Sequence, residues 1–254
     1  MRGGPERGRS LYVEGPGEIA WRRGALEVRN RHGRARYFPL DRIARIVALG
    51  EVRWREGVLT SCAAAGVPVL ALTEDGRASW TLVPGTGVSV DLAQALIAAR
   101  ESPRWEERYR AWFDSQDRRL RRHTCQALGW EDSGARAVWT RLERTLANAW
   151  GAERVEHLLT RLDSLARLEA ADALAEREVP ADLAGGWIGV SLVDDIGTLL
   201  GWPLRGKLVA TAHRERTPPM ETEEQMISLY ETAAAGTVRG AARRLVAYLW
   251  KLRP

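Results

Sequence analysis

Apolar residues in the first third of the chain fall in short runs separated by glycine, proline and acidic turns. Leu11-Tyr12-Val13, Ile19-Ala20-Trp21 and Leu26-Glu27-Val28 come first, followed by a turn at His32-Gly33 and then Ala35-Arg36-Tyr37-Phe38. Segments this brief, bounded by turn formers, predict β-strands. Residues 37–83 carry the clearest pattern. Tyr37-Phe38-Pro39-Leu40-Asp41 leads into a mostly apolar run, Ile43 to Leu49, closed by Gly50. Val52-Arg53-Trp54 follows, and a second apolar run spans Val67 to Leu72 before Asp75-Gly76. Both runs read as buried strands. Between them, Gly57 to Ala65 has helical composition, with Gly66 as its expected C-cap. Arg77 to Val83 alternates as the last strand. The order is strand, short helix, strand, hairpin, strand.

Beyond Pro84-Gly85-Thr86-Gly87 the period becomes helical. Asp91 is expected to cap Leu92 to Ala99, and Pro103 to open a helix running to about Leu128. Further helices are expected near 134–149, 152–160, 163–177, 190–200, 222–234 and 237–251, the last capped by Thr237. The pattern predicts an α+β protein: a small N-terminal β-rich domain over 1–84, then a larger all-helical domain over 91–254.

Composition narrows the class. The 254 residues hold two cysteines, Cys62 and Cys125, too few for a disulfide framework and without zinc-site spacing. That fits a reducing, cytoplasmic setting. Arg2, Glu6, Arg7 and Arg9 interrupt the N-terminus, so no signal peptide is expected. The uncharged stretch Gly57 to Thr73 is broken by Gly66 and Pro68 and falls short of a ~20-residue membrane span.

The formal net charge is +5, and Lys207 and Lys251 are the only lysines. The positive charge is therefore arginine, which forks onto phosphates. Arg118, Arg119, Arg121 and Arg122 crowd one helical segment, with Arg100, Arg104, Arg108 and Arg110 upstream and Trp105, Tyr109 and Trp112 interleaved. Such a helix suits a nucleic-acid backbone, and Arg104, Arg108, Arg118, Arg121 and Arg122 are the expected DNA contacts. Glu101, Glu106, Glu107, Asp114 and Asp117 leave open the alternative of a charge-balanced, solvated face.

Pro39-Leu40, the strand Ile43 to Gly50, the helix after it, Gly66-Val67-Pro68-Val69 and the hairpin Asp75-Gly76 occur in a familiar order. With Leu11-Tyr12-Val13 before and Leu82-Val83-Pro84 after, the chain resembles the CRISPR-associated integrase-nuclease that inserts new spacers. The resemblance covers about the first third of the chain. It implies a metal-dependent DNA endonuclease and strand transferase of antiviral defence. Its partners would be prespacer DNA, the CRISPR repeat, a second copy in a homodimer and a small ferredoxin-like adaptation subunit. A DNA 3′-hydroxyl attacks a phosphodiester without a covalent enzyme intermediate, so such a protein must hold a divalent metal and orient the attacking oxygen. Mg2+ or Mn2+ is implied, the latter tolerating a histidine ligand.

The family uses a helical glutamate, a distant histidine and an acidic pair shortly after it. Leu165-Ala166-Arg167-Leu168-Glu169-Ala170-Ala171 is similar to the glutamate helix, and His213 is the one histidine downstream of it. Glu221 and Glu224 follow, three residues apart on one face of a helix expected near Thr222. The resemblance implies Glu169, His213 and Glu224 as catalytic residues and Glu169, His213, Glu221 and Glu224 as metal ligands. The interval from Glu169 to His213 is shorter than the family's, and Asp194-Asp195 stands where an asparagine-containing helix is usual. Asp194 and Asp195 are thus alternative ligands, and Glu143 an alternative glutamate. Two other readings follow: a catalytically inactive relative serving as a DNA-binding or scaffold subunit, and an unrelated helical regulator with a β-domain dimeriser.

Overall fold

Turn residues cut the first unit, Met1–Gly87, into short strands that pair as two sheets, while the second unit, Val88–Pro254, is helical. The computed structural model describes residues 9–22, 24–29, 33–82, 84, 90–185, 190–214 and 223–252. The expected linker residues 85–87 lie outside them. In chain order the first unit contains β1 (Arg9–Glu14), β2 (Gly17–Arg22), β3 (Ala25–Arg29), β4 (Ala35–Pro39), β5 (Ile43–Leu49), β6 (Val52–Trp54), α1 (Val58–Ala64), β7 (Val69–Leu72) and β8 (Ala78–Leu82).

One sheet has the order β1-β5-β7-β8, with β5 parallel to both β1 and β7 and β8 antiparallel at the edge. A parallel neighbour needs a crossover, which α1 supplies between β5 and β7. The other sheet, β4-β3-β2-β6, is antiparallel except where β6 joins β2. Ile19 and Leu26 from one sheet, Ile46 and Val69 from the other, and Val58 and Cys62 from α1 share one core. Burial pushes the Cys62 thiol up to about 11, so it stays protonated and acts as a packing group. Gly66 ends α1 in the left-handed conformation, φ 70°, as its expected position requires.

The second unit contains α2 (Val90–Arg100), α3 (Trp105–Leu128), α4 (Ala135–Trp150), α5 (Ala152–Ala175), the short α6 (Ala181–Ala184), α7 (Leu192–Arg214), α8 (Glu223–Leu229) and α9 (Ala235–Tyr248). A π-helical turn, Tyr230–Ala234, joins α8 to α9, and a 3-10 turn follows at Leu249–Leu252. Asp91 lies inside α2, which starts at Val90, rather than capping it, and three further boundaries differ from expectation. The helices expected at 152–160 and 163–177 are one, because no breaker interrupts the buried series Leu158, Leu162 and Leu165. Thr237 lies inside α9 rather than capping it, since the π turn carries the chain through without a stop.

The third difference is α7, which continues past residue 200 through Gly201-Trp202-Pro203 to Arg214. Its glycines explain why. A Cβ at Gly197 would stand 2.6 Å from Arg167 Cγ, one at Gly201 2.6 Å from the Trp139 ring, and one at Gly206 2.7 Å from Thr124 Cγ2. Bare backbone at these positions lets α5, α4 and α3 close onto α7. Glycine disfavours helix by about 1 kcal/mol per residue, a cost that close packing offsets. Among the described residues no helix is long and apolar enough to cross a membrane.

Ile46 is fully buried in the central strand β5. Ile46→Ala is expected to lower unfolding free energy by about 2–5 kcal/mol in urea titration. A midpoint equal to wild type would remove β5 from the core.

Candidate functional site

Glu169 sits on the inward face of α5 with its side chain 1% exposed. Its carboxylate receives a two-pronged donation from Arg239 of α9: Nε to Oε2 at 3.1 Å and Nη2 to Oε1 at 3.2 Å. Tyr230, fully buried in the π turn, also donates its hydroxyl to Oε1 at 3.5 Å. A buried ion loses several kcal/mol of hydration, so an inward carboxylate persists only with a charged, hydrogen-bonded partner. Arg239 supplies it. Two turns further along α5, Glu176 takes a second fork from Arg243 at 2.9 and 2.8 Å. Two arginines on successive turns of α9 thus clamp it to α5.

Of the remaining expected ligands, His213 is described and the side chains of Glu221 and Glu224 are not. His213 is exposed in the last turn of α7, where a helix terminus favours basic groups. Glu221 falls outside the described residues, and Glu224 belongs to α8 with its side chain outside them. Among the described residues no group of three or more His, Cys, Asp or Glu side chains gathers as a metal site. Mg2+ and Mn2+ require free oxygen donors. At Glu169 both oxygens face the Arg239 guanidinium, and the Glu221 and Glu224 side chains that would complete the expected donor set lie outside the described residues.

The alternative carboxylates are likewise engaged. Asp194 pairs with Arg167 at 3.0 Å, and Glu143 lies 3.5 Å from Arg205. Asp195 accepts the Tyr109 hydroxyl at 2.8 Å, beside a cavity of about 330 Å3 lined also by Glu106, Arg110 and Asp114. Burial pushes the Asp195 carboxyl up, against the opposing effect of the Tyr109 hydrogen bond and with a smaller push from the Asp194 charge. Burial, with Asp195 alongside, pushes the Tyr109 phenol far up as well.

The expected DNA-contacting arginines of α3 divide into two sets. Arg121 is only 11% exposed and inward-facing: it bonds Asp117 at 2.9 Å and Asp132 at 2.7 Å and ties α3 to the loop before α4. Asp117 also accepts the Trp202 indole N–H at 2.7 Å, drawing α7 into the same network. Arg104 forks onto Glu107 at 2.9 and 3.0 Å. Arg108 is half-buried, while Arg118 and Arg122 are exposed, with Arg122 3.8 Å from Asp132. The structure also shows a basic face that the sequence reading left unremarked, on α4: Arg136, Arg141 and Arg144. Its signal was present as arginines two turns apart at 136 and 144.

Comparison with solved structures finds the same fold in Cas1 proteins and a casposase. The chain is similar to TM1797, a CAS1 protein from Thermotoga maritima, at 13% identity over 96% of each chain with TM-score 0.75. It is also similar to a casposase bound to integration product, at 12% identity over 96% of this chain and 91% of that one, TM-score 0.67. A TtCas1–DNA complex aligns at 15% identity over 96% and 91%, TM-score 0.63. The β-rich unit followed by a helical unit is therefore a Cas1-like fold, as expected. A family profile described as CRISPR associated protein Cas1 matches residues 11–173, well over half of the chain. The chain belongs to that family. Comparison with curated proteins finds no match.

The Glu169 fork predicts an asymmetry. Arg239→Ala strands a buried carboxylate and is expected to cost about 3–5 kcal/mol of stability. Glu169→Gln leaves Arg239, 31% exposed, able to reach water, and is expected to cost less. Urea denaturation of the two variants checks this, and equal losses would mean that no charge is buried there.

Asp195 predicts a pH dependence. Its carboxyl is raised in the fold, so the stability it contributes is present below the ordinary carboxylate value of 3.8 and lost as pH rises through the raised value. Asp195→Asn should therefore melt higher than wild type at pH 7, with the difference shrinking toward pH 4. A difference independent of pH would contradict the burial of this charge.

Proposed function

We propose that this chain is a DNA-binding subunit of CRISPR spacer acquisition that does not use a metal ion at Glu169. The observation that carries the reading is the two-pronged Arg239 contact on the Glu169 carboxylate. Family membership supports the setting, and the casposase and TtCas1 relatives, bound to integration product and to DNA, support DNA as the ligand. The arginine-dominated charge of +5 fits a phosphate backbone. The partners that accompany this reading are prespacer and repeat DNA, a second copy of the chain and a small ferredoxin-like adaptation subunit. Exposed aromatic groups on the β-rich unit, Tyr37 at 60% and Trp80 at 36%, are available for such contacts.

A guanidinium at Glu169 performs half of what a divalent ion does there. It neutralises the carboxylate and fixes its orientation through directed N–H donors. It cannot coordinate an attacking hydroxyl or polarise a phosphoryl oxygen as a Lewis acid. The site is thus chemically suited to holding α9 against α5 and poorly suited to strand transfer.

One observation favours a second reading, the metal-dependent integrase. Arg239 is 31% exposed and has a route to solvent, which would free Glu169 to join His213, Glu221 and Glu224 around Mg2+ or Mn2+. A strand-transfer assay separates the two. A 3′-overhanged DNA duplex is offered to a plasmid carrying a CRISPR repeat, with manganese and with magnesium, alongside Glu169→Ala and His213→Ala. DNA binding without transfer product is the expected result. Product from wild type that disappears in both variants would overturn the proposal and establish the integrase.

A further inference from the structure

We propose that the outward face of α4, formed by Arg136, Thr140, Arg141 and Arg144, is a DNA-backbone contact surface of the helical unit. The inference rests on the DNA-binding reading above and assigns it a place. These residues border an open concavity of about 890 Å3 together with Ser133 and Gly134. Arg136, Thr140 and Arg144 follow one another at four-residue intervals, so they form a stripe with about 6 Å between steps. All three are exposed. The opposite face of α4, with Val138, Leu142 and Leu146, is buried. The stripe is therefore held on a rigid, packed helix.

Electrostatics distinguish this face from α3. Along α3 acids interleave with the arginines, Glu107 taking Arg104, Glu106 taking Arg110 and Asp117 taking Arg121, while Arg118, Arg119 and Arg122 stay exposed. The one acid within α4, Glu143, is turned toward Arg205 at 3.5 Å, and the nearby Asp132 is held by Arg121 at 2.7 Å. Neither neutralises the stripe. Arg141 is stacked over Trp130 at 4.1 Å, which orients its planar group while leaving its N–H donors available for an anion. Row-like spacing, fork-shaped donors and a neighbouring hydroxyl match a linear polyanion better than a compact acidic ligand.

The test uses the full chain and a fluorescent DNA duplex with 3′ overhangs, titrated by anisotropy at several salt concentrations. Arg136→Gln/Arg144→Gln is compared with wild type and with Arg55→Gln/Arg77→Gln, which removes the same charge from ion pairs with Glu18 and Asp75. The α4 pair is expected to weaken binding on the order of tenfold at 0.1 M salt. It should also flatten the slope of log affinity against log salt by about 1.8, roughly 0.9 for each lost phosphate contact. The control pair should keep the wild-type slope. Wild-type affinity and slope in the α4 variant would overturn the assignment while leaving DNA binding intact. Equal losses in both pairs would overturn it in favour of net charge. Failure of wild type to bind DNA would overturn the DNA-binding reading and this surface with it.

Discussion

A carboxylate inside a helical bundle is tolerated only when a cation reaches it, and here the cation is supplied by the chain itself. Glu169 is enclosed by α5, α9 and the π turn, and Arg239 answers it from 70 residues away in sequence. The consequences spread outward. Arg239 and Arg243 lie one turn apart, so the first ion pair sets the register for the second, with Glu176. The clamp brings Val238, Ala242 and Leu245 of α9 into the core. Tyr230 completes the hydrogen bonding from the π turn, a feature often retained where a helix serves a particular contact. A metal ion at the same carboxylate would be exchangeable and chemically active. A guanidinium tethered to a helix is neither, and on the proposed reading the same negative charge is architectural.

The same economy governs α7. Its three close-approach glycines draw neighbouring helices in, and its polar residues then have to be satisfied at those contacts. Arg205, 5% exposed, forks onto Asp163 of α5 at 2.8 and 3.0 Å and stacks over Trp139 of α4 at 4.1 Å. Trp202 donates to Asp117 of α3. Close packing and charge pairing are thus one arrangement. The approach permitted by Gly201 brings the Trp139 ring beside the Arg205 side chain, and the ion pair then holds the approach.

These pairings mark what was legible in the chain. The β-rich unit could be read almost element by element, because its glycines and acidic turns are local signals and Gly66 does what its position asks. The helical unit was readable as helices, yet the helix expected near 190–200 runs on through Gly201-Trp202-Pro203 to Arg214. Only the tertiary contacts of α7 reveal those glycines as packing devices. Glu169 could be singled out from its helix, whereas Arg239 could not, since nothing near either residue announces a contact so distant in sequence. His213 was singled out for its place in the order of residues. Order along a chain does not fix where an exposed side chain at a helix end comes to lie.

Net charge behaves in the same way. A value of +5 correctly points toward polyanions but does not say which arginines meet them, because a folded chain uses many of its own cations internally. Arg121 stood in sequence as a candidate for the surface, yet it turns inward to Asp117 and Asp132, and Arg205 likewise turns inward to Asp163. Clustering therefore overstates availability: the densest run, on α3, is dense in acids as well, and its helical spacing of three and four residues is what makes arginine and carboxylate meet. Availability is what remains after those pairs are removed. By that subtraction the sparser helix α4, whose one internal acid is turned toward Arg205, keeps a row of exposed arginines that its lower density in sequence does not advertise.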